Sequence, residues 1–225
     1  MASPAETAVI FDCDGVLLDL QHSEEDLFFA ALAQHVPTDD LSRDWNSYTI
    51  RNDDDIVSEV LRRFGRDMAL KPQVIAHYLD GMAKALASGR ITAAPIPGTL
   101  GLLQDLSTRH RLGLATANFR EVARLRLDQA GLWPFVSEHA IGADGGGHKH
   151  QLLSRLLATL PLPKHRIVYV GDNVIDVEAG LRNGVHLIGF SRNPARREQL
   201  RSAGAEHLAE SHHDTARLIG QLLAT

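Results

Sequence analysis

The chain has 225 residues, enough for one large domain or two small ones around a real hydrophobic core. Its 44% hydrophobic and 23% charged residues suit a soluble globular protein, and a formal net charge of −5 argues against a nucleic-acid-binding surface. A single cysteine, Cys13, excludes an intrachain disulfide and fits a reducing cytoplasm.

The N-terminal stretch "MASPAETAVIFD" lacks the basic segment and long apolar core of a signal peptide. No apolar run approaches the roughly 20 residues that span a bilayer. A soluble, cytoplasmic protein is expected.

Residues 8–11 form a short, continuous apolar run, the pattern of a parallel strand covered on both faces. It ends in Asp12-Cys13-Asp14-Gly15. From about Leu20 to Ala93 the pattern is helical throughout. "SEEDLFFAALAQHV" opens on a serine followed by acids and is followed by Pro37; "RNDDDIVSEVLRRFG" and "KPQVIAHYLDGMAKALASG" each close near a glycine. "TAAPIPG", with two prolines, reads as the return linker. The chain is therefore expected to make one strand, leave for a helical insert at 20–93, and return to complete a core at 1–19 and 94–225.

Beyond the linker, further strands are expected at 112–117, 167–170 and 185–190. They alternate with the amphipathic stretches "PGTLGLLQDLSTRH", "REVARLRLDQAGL", "KHQLLSRLLATLPL" and "VIDVEAGLRNGV". Such alternation specifies an open α/β sheet of parallel strands. "ESHHDTARLIGQLL" reads as a last surface helix, with His212 and His213 in its solvated cap region.

Three of these strands end in polar groups: Asp12 and Asp14 after the first, Thr116-Ala117-Asn118 at the second, and Asp172-Asn173 after the third with Asp176 four residues on. Each alone is also what a turn or a helix N-cap looks like. Together they converge, because ligands of open parallel sheets bind at the carboxyl ends of the strands. Three or more carboxylates crowded there call for a cation, and an all-oxygen set selects Mg²⁺ over zinc. Mg²⁺ keeps room for a phosphate oxygen, Asp12 and Asp14 can supply nucleophile and proton donor, and Thr116 can donate a hydrogen bond to phosphate. Lys149, after "GADGGG" and opening the next helix, is the candidate for neutralising the phosphoryl charge. An ordinary solvated lysine is the other reading of it.

"FDCDGVLLD", "LATAN", Lys149 and "GDNVID", in this order and with a helical insert after the first strand, resemble the four motifs of the haloacid dehalogenase-like (HAD) hydrolase superfamily. The match is to its phosphatase branch, the phosphoglycolate phosphatase and beta-phosphoglucomutase-like proteins. The resemblance implies a Rossmann-like parallel-sheet core with an all-helical cap at 20–93 that selects the substrate. It implies that Asp12 attacks phosphorus to form an aspartyl-phosphate and that Asp14 protonates the leaving alcohol, then activates water. Mg²⁺ would be held by Asp12, the main-chain carbonyl of Asp14, and Asp172, with Asp176 as ligand or support. Thr116, Ala117 and Asn118 would bind the phosphate, and Lys149 would hold Asp12 and the phosphoryl group.

One departure stands out: the family's lysine is often followed by proline, and here His150 follows Lys149. Asp14 sets aside the dehalogenase branch, which lacks a second aspartate, and the phosphonate-cleaving branch, which has alanine there.

In the insert, Arg51 is the candidate for a substrate carboxylate or second phosphate, while Asn52 or Asp53 starts the next helix. His22 and Arg43 are further cap candidates. Cys13 should point away from the acids into the core.

The function implied is a Mg²⁺-dependent phosphatase acting on a small phosphorylated metabolite. A sugar phosphomutase is the alternative, and a non-catalytic phosphometabolite-binding protein a third. Neither nucleic acid nor membrane is expected as a partner, and the chain should act as a monomer or homodimer.

Overall fold

The computed structural model describes residues 6–19, 22–37 and 41–224, with backbone only at 22 and 23. Among the described residues, six parallel strands form one sheet in the order β3-β2-β1-β4-β5-β6. They are β1 (Ala8–Phe11), β2 (Arg111–Ala115), β3 (His139–Ile141), β4 (Ile167–Gly171), β5 (His186–Phe190) and β6 (His207–Ala209). Alternate residues of the buried strands feed two cores. Val9, Phe11, Val168 and Val170 pack on one face, and Ala8, Ile10, Ile167 and Tyr169 on the other.

The four expected strands are present, and the second stops at Ala115, which leaves Thr116 and Ala117 in the loop at its tip. β3 and β6 were not foreseen. Each is a three-residue edge strand, mostly half-buried, and so carries no apolar run to announce it.

The helices that follow the insert are α4 (Thr99–Ser107), α5 (Arg120–Gln129), α6 (Trp133–Val136), α7 (Lys149–Leu157), α8 (Val174–Asn183), α9 (Pro194–Ser202) and, after the last strand, α10 (His212–Leu223). α9 escaped the sequence reading because its only buried residue is Leu200; Asn193 caps it, accepting from the amides of Ala195 and Arg196, and Pro194 opens it.

Between β1 and β2 lie α1 (His22–Ala33), α2 (Asp53–Arg63) and α3 (Lys71–Ala87), plus short 3₁₀ turns at Trp45–Ser47 and Met68–Leu70. These helices bury a core of their own around Phe28, Leu32, Ile56, Leu61 and Met82. Two residues from across the sheet, Phe119 and Val122 of the α5 region, join that core. The outgoing and returning chains run side by side: Leu18 bridges Pro95, and the Asp19 amide donates to the Ala94 carbonyl at 2.8 Å. No described helix is long and apolar enough to cross a membrane.

One expectation for α10 is overturned. His213 is exposed, but His212 is 3% exposed, stacked on Phe190 with ring centroids 4.7 Å apart. Its Nε2 lies 2.9 Å from the Thr99 hydroxyl. A cap region that follows an edge strand at the sheet's carboxyl end folds back under the β1 loop, and burial there pushes the ring's pKa down to about 4.

Candidate active site

β1 is central, flanked by β2 and β4, with Phe11 level with both Leu114 and Val170. Asp12 therefore leaves the sheet beside the ends of both neighbours. The chain fills one side of β1 with β2 and β3, then crosses to the other with β4, so β1 and β4 border the topological switch point where α/β sheets bind ligands. A cleft of about 190 Å³ opens there, lined on the sheet side by Asp12, Asp14, Thr116, Lys149, Asp172 and Asp176.

Asp12, Asp172 and Asp176 each present a carboxylate oxygen within 4.8 Å of the others. Lys149 reaches in from the first residue of α7, its Nζ 2.7 Å from Asp12 Oδ1 and 3.2 Å from Asp176 Oδ1. Two carboxylates thus share one ammonium, and the third, Asp172, has only the Arg196 guanidinium at 3.9 Å. The imbalance shows in their ionisation: burial pushes the Asp12 carboxyl well up against the pull of Lys149, and Asp176 and Asp172 push it further. Asp172 is raised to about 7 by burial and by Asp176, against the pull of Arg196 and Lys149. Burial works against the charge of Lys149, yet Asp12 and Asp176 hold its pKa above the usual lysine range. A hard divalent cation fits this all-oxygen set, which lacks the positive charge it would supply.

The surrounding backbone is shaped for that closeness. Gly15 has φ +74°, and a Cβ there would fall 2.4 Å from Asp172 Oδ2, so only glycine lets the β1 loop pass the second acid. Asp176 is orientated by three donors: the Tyr169 hydroxyl at 2.7 Å and the Asn173 amide at 3.0 Å, besides Lys149. Arg196 of α9 donates from Nε to the Asp172 carbonyl at 3.2 Å.

Asp14 faces elsewhere. Its carboxylate is held by Arg126, through Nη1 at 3.2 Å and a shorter bond from Nη2, and by Asn118 Nδ2 at 2.5 Å. Burial would raise its pKa, but the Arg126 guanidinium and the bonds from Arg126 and Asn118 outweigh it and hold the carboxyl below the usual range. With the side chain so engaged, the main-chain carbonyl is what Asp14 has to offer a cation in the cluster. Thr116 is buried, and its hydroxyl accepts from the Asn118 amide at 3.1 Å and Nδ2 at 3.2 Å, which leaves its own proton to donate. The Ala117 carbonyl accepts from the Asp53 amide at 3.0 Å.

The helical insert closes the cleft with Glu24, Glu25, Trp45, Arg51, Asn52, Asp53 and Tyr78. Arg51 is half-buried and donates to Asn46 Oδ1 at 3.1 Å. Asn52 caps α2 as expected, but the acids after it do more than favour a helix start. Asp53 Oδ2 accepts from the Phe119 amide at 2.8 Å, and burial, partly offset by that bond, raises Asp53 to about 7. Asp55 Oδ2 accepts from the Gly147 amide at 2.7 Å, while Asn52 Nδ2 donates to the Gly147 carbonyl at 2.8 Å.

This explains the glycine run before Lys149. Gly145, Gly146 and Gly147 all have positive φ, and a Cβ on Gly146 would lie 2.9 Å from the Asp55 carboxylate. The start of α2 is thus bonded both to the Thr116 loop and to the loop that launches Lys149.

Other expected residues are more ordinary. Arg43 pairs with Asp26 at 2.6 Å and lies over the Phe29 ring, on the outside of the insert. The side chain of His22 lies outside the described residues. Cys13 is fully buried among core residues, and burial pushes its thiol well up, as a spacer requires. His148 and His150 stack on one another at 5.6 Å beside Lys149, at the rim.

Arg126 and Glu24 were missed. The signal was present: in the α5 region, residues 119, 122, 123, 126 and 127 repeat at helical spacing, and an arginine occupies one place in that otherwise apolar stripe.

A family model described as "Haloacid dehalogenase-like hydrolase" matches residues 9–190. A phosphoglycolate phosphatase from Synechococcus elongatus is 27% identical over 223 residues, covering 96% of this chain and 98% of that protein. The tyrosine-protein kinase PtkA of Mycobacterium tuberculosis is 30% identical over 193 residues, 83% of this chain, which spans 63% of PtkA. Among solved structures, CbbY from Rhodobacter sphaeroides in complex with phosphate superposes with a TM-score of 0.72 at 19% identity, covering 92% of this chain and 95% of that one.

Proposed function

The chain belongs to the haloacid dehalogenase-like hydrolase family and is a phosphatase; we propose that it is Mg²⁺-dependent and hydrolyses a small phosphorylated metabolite through an aspartyl-phosphate on Asp12. The observation that carries this reading is Asp12 itself: a carboxylate at the end of the central strand, 2.7 Å from the Lys149 ammonium and in reach of two more acids.

In this reading an Asp12 oxygen attacks phosphorus as the bond to the leaving oxygen breaks, and Asp14, which must first take up a proton against the pull of Arg126, gives that oxygen its proton. Asp14 then takes a proton from the water that attacks the same phosphorus, the bond to Asp12 breaks, and inorganic phosphate leaves. Lys149 and the Thr116 hydroxyl hold the non-bridging oxygens, with the loop at Ala117 and Asn118 beside them. Asp12, Asp172 and the Asp14 carbonyl would hold Mg²⁺, with Asp176 behind, and the ion would supply the charge neutralisation that one lysine leaves incomplete.

Residues 20–93 serve as the specificity cap over a core at 1–19 and 94–225. Arg51, at the mouth of the cleft, pairs with a carboxylate or second phosphate on the leaving group. The phosphoglycolate phosphatase relative supports a small phosphorylated acid. A reducing cytoplasm is the expected setting, supported by the lone buried thiol.

The test is phosphate release from a panel of small phosphate esters with and without Mg²⁺. Asp12→Asn should lower turnover by about a thousandfold or more while the protein stays folded. No release from any ester, isomerised sugar phosphate without release, or full activity in Asp12→Asn would overturn the reading.

A further inference from the structure

On the insert side of the cleft, nearly every polar side chain already has a partner within the chain. Glu24 accepts from Arg126 Nε at 3.0 Å, Glu25 from the Trp45 indole at 3.1 Å, and Asp53 from the Phe119 amide at 2.8 Å. Arg51 donates to Asn46, and Asn52 to Asp55 and Gly147. Tyr78 is different. It lines the same cleft from α3 and is 5% exposed, yet its hydroxyl makes no hydrogen bond among the described residues.

A hydroxyl sealed in a core without a partner is costly. Among the described residues the sealed side-chain atom that lacks a partner is His212 Nδ1, and the Tyr78 oxygen is not its equal. It opens instead into the cleft that its ring lines. The ring has little freedom to carry that oxygen elsewhere. It packs in the insert core, edge-on to Phe28 with centroids 5.3 Å apart, and Phe28 lies 5.2 Å from Trp45. An aromatic body fixed in a core, with a donor and acceptor left at its tip, is suited to hold a ligand.

The place of that tip decides what it can hold. Thr116 and Lys149, which meet the phosphoryl group, lie on the sheet side, so the insert side faces the leaving group. The charged groups that act on Tyr78 are Asp53, Arg126, Glu24 and Asp14, three acids to one base. A carboxylate or second phosphate would be repelled there, whereas an uncharged hydroxyl would not.

We propose that Tyr78 is a specificity-determining residue that hydrogen-bonds a hydroxyl of the leaving group, so that hydroxylated phosphate esters are preferred to alkyl esters of the same length. The proposal rests on the phosphatase reading above and deepens it: Arg51 at the mouth meets an anionic group, and Tyr78 in the wall an uncharged one. An alkyl ester would fill the cleft and leave the phenol unpaired, which is how a site built for a hydroxyl rejects the analogue that lacks it.

The test pairs esters that differ only in their hydroxyls: glycerol 3-phosphate with propyl phosphate, and ribitol 5-phosphate with pentyl phosphate. With Mg²⁺, wild type should favour the hydroxylated member of at least one pair by about tenfold or more in kcat/KM. Tyr78→Phe, which removes only the oxygen, should shrink that ratio by about fivefold or more. A merely structural role would lower both esters together and leave the ratio alone. Because the hydroxyl has no partner within the chain, Tyr78→Phe should also unfold at the same urea concentration as wild type.

No preference in either pair, an unchanged ratio in Tyr78→Phe, or turnover of other esters but none of these four would overturn the assignment. So would a Tyr78→Phe protein that is less stable or does not fold, since its hydroxyl would then have a partner within the chain. If wild type releases phosphate from no ester at all, the phosphatase reading falls and this one with it. In every other failing outcome Tyr78 alone is wrongly assigned.

Discussion

Two clusters of buried acid share one cleft and solve the same problem differently. At the sheet edge, Asp12, Asp172 and Asp176 face the ammonium of Lys149, with the Arg196 guanidinium 3.9 Å from Asp172. At the seam with the helical insert, Asp14 and Glu24 face the single guanidinium of Arg126. In the seam cluster every polar atom of the guanidinium is spent on a carboxylate, so its own compensation is built into the chain, although burial and Asp14 still push Glu24 up to about 7. In the edge cluster three carboxylates face Lys149 and the more distant Arg196, and Asp12 and Asp172 are still pushed up. A cluster bonded through by its own arginine holds a side chain in place, while one whose carboxylates crowd within 4.8 Å of one another has the donor set that could hold a cation.

The sharpest way to break this comparison is to remove each cation in turn and add Mg²⁺. Arg126→Met leaves two buried carboxylates without their partner and should cost about 3–5 kcal/mol in urea unfolding, with no recovery in Mg²⁺. Lys149→Met should cost a similar amount without metal, and Mg²⁺ at a hundredfold excess over its Kd should restore about 2–3 kcal/mol. Equal rescue of both variants would show that the two clusters do not differ in this way.

A third buried group sharpens the contrast because it has no counter-charge at all. His212 donates from Nε2 to Thr99, whose own proton goes to the Ile96 carbonyl, and its Nδ1 makes no hydrogen bond among the described residues. Its folded pKa is about 4 against an ordinary 6.5, so between those values the unfolded chain binds the extra proton. Stability from this residue is complete above pH 6.5 and is lost as the pH falls towards 4, by on the order of 3 kcal/mol in all. Thermal unfolding between pH 7 and pH 4 should show that slope, and His212→Gln should flatten it.

The smallest expected effect probes the junction between the two clusters. Gly146→Ala puts a Cβ against the Asp55 carboxylate at a residue with φ +69°. It should cost about 1–2 kcal/mol and, by shifting the loop before Lys149, lower kcat more than it raises KM. Steady-state kinetics beside a melting curve would check both, and an unchanged kcat would separate the α2 contact from Lys149.

Much of this site was legible one strand at a time. Short apolar runs ending in Asp12, Thr116 and Asp172 marked three carboxyl ends, and parallel strands place such ends on one edge. Lys149 could be nominated from its place at a helix start, but only the packing of α7 against the sheet brings its Nζ to Asp12. The short edge strands β3 and β6, and the polar helix α9, were not legible, since none buries enough apolar surface to leave a pattern.

By itself, then, the sequence determined the alternating core, the helical excursion after the first strand and the acids at the strand tips, because each is written in local periodicity and turn chemistry. The tertiary structure alone decided which charges meet. Arg126 lies 112 residues from Asp14 and 102 from Glu24, and Asp55 lies 92 from Gly147. No local pattern encodes such pairings; they follow from how the insert packs on α5 and on the edge of the sheet. That packing holds Asp14 in a guanidinium fork and leaves Asp12, two residues earlier, in the cluster that is short of positive charge.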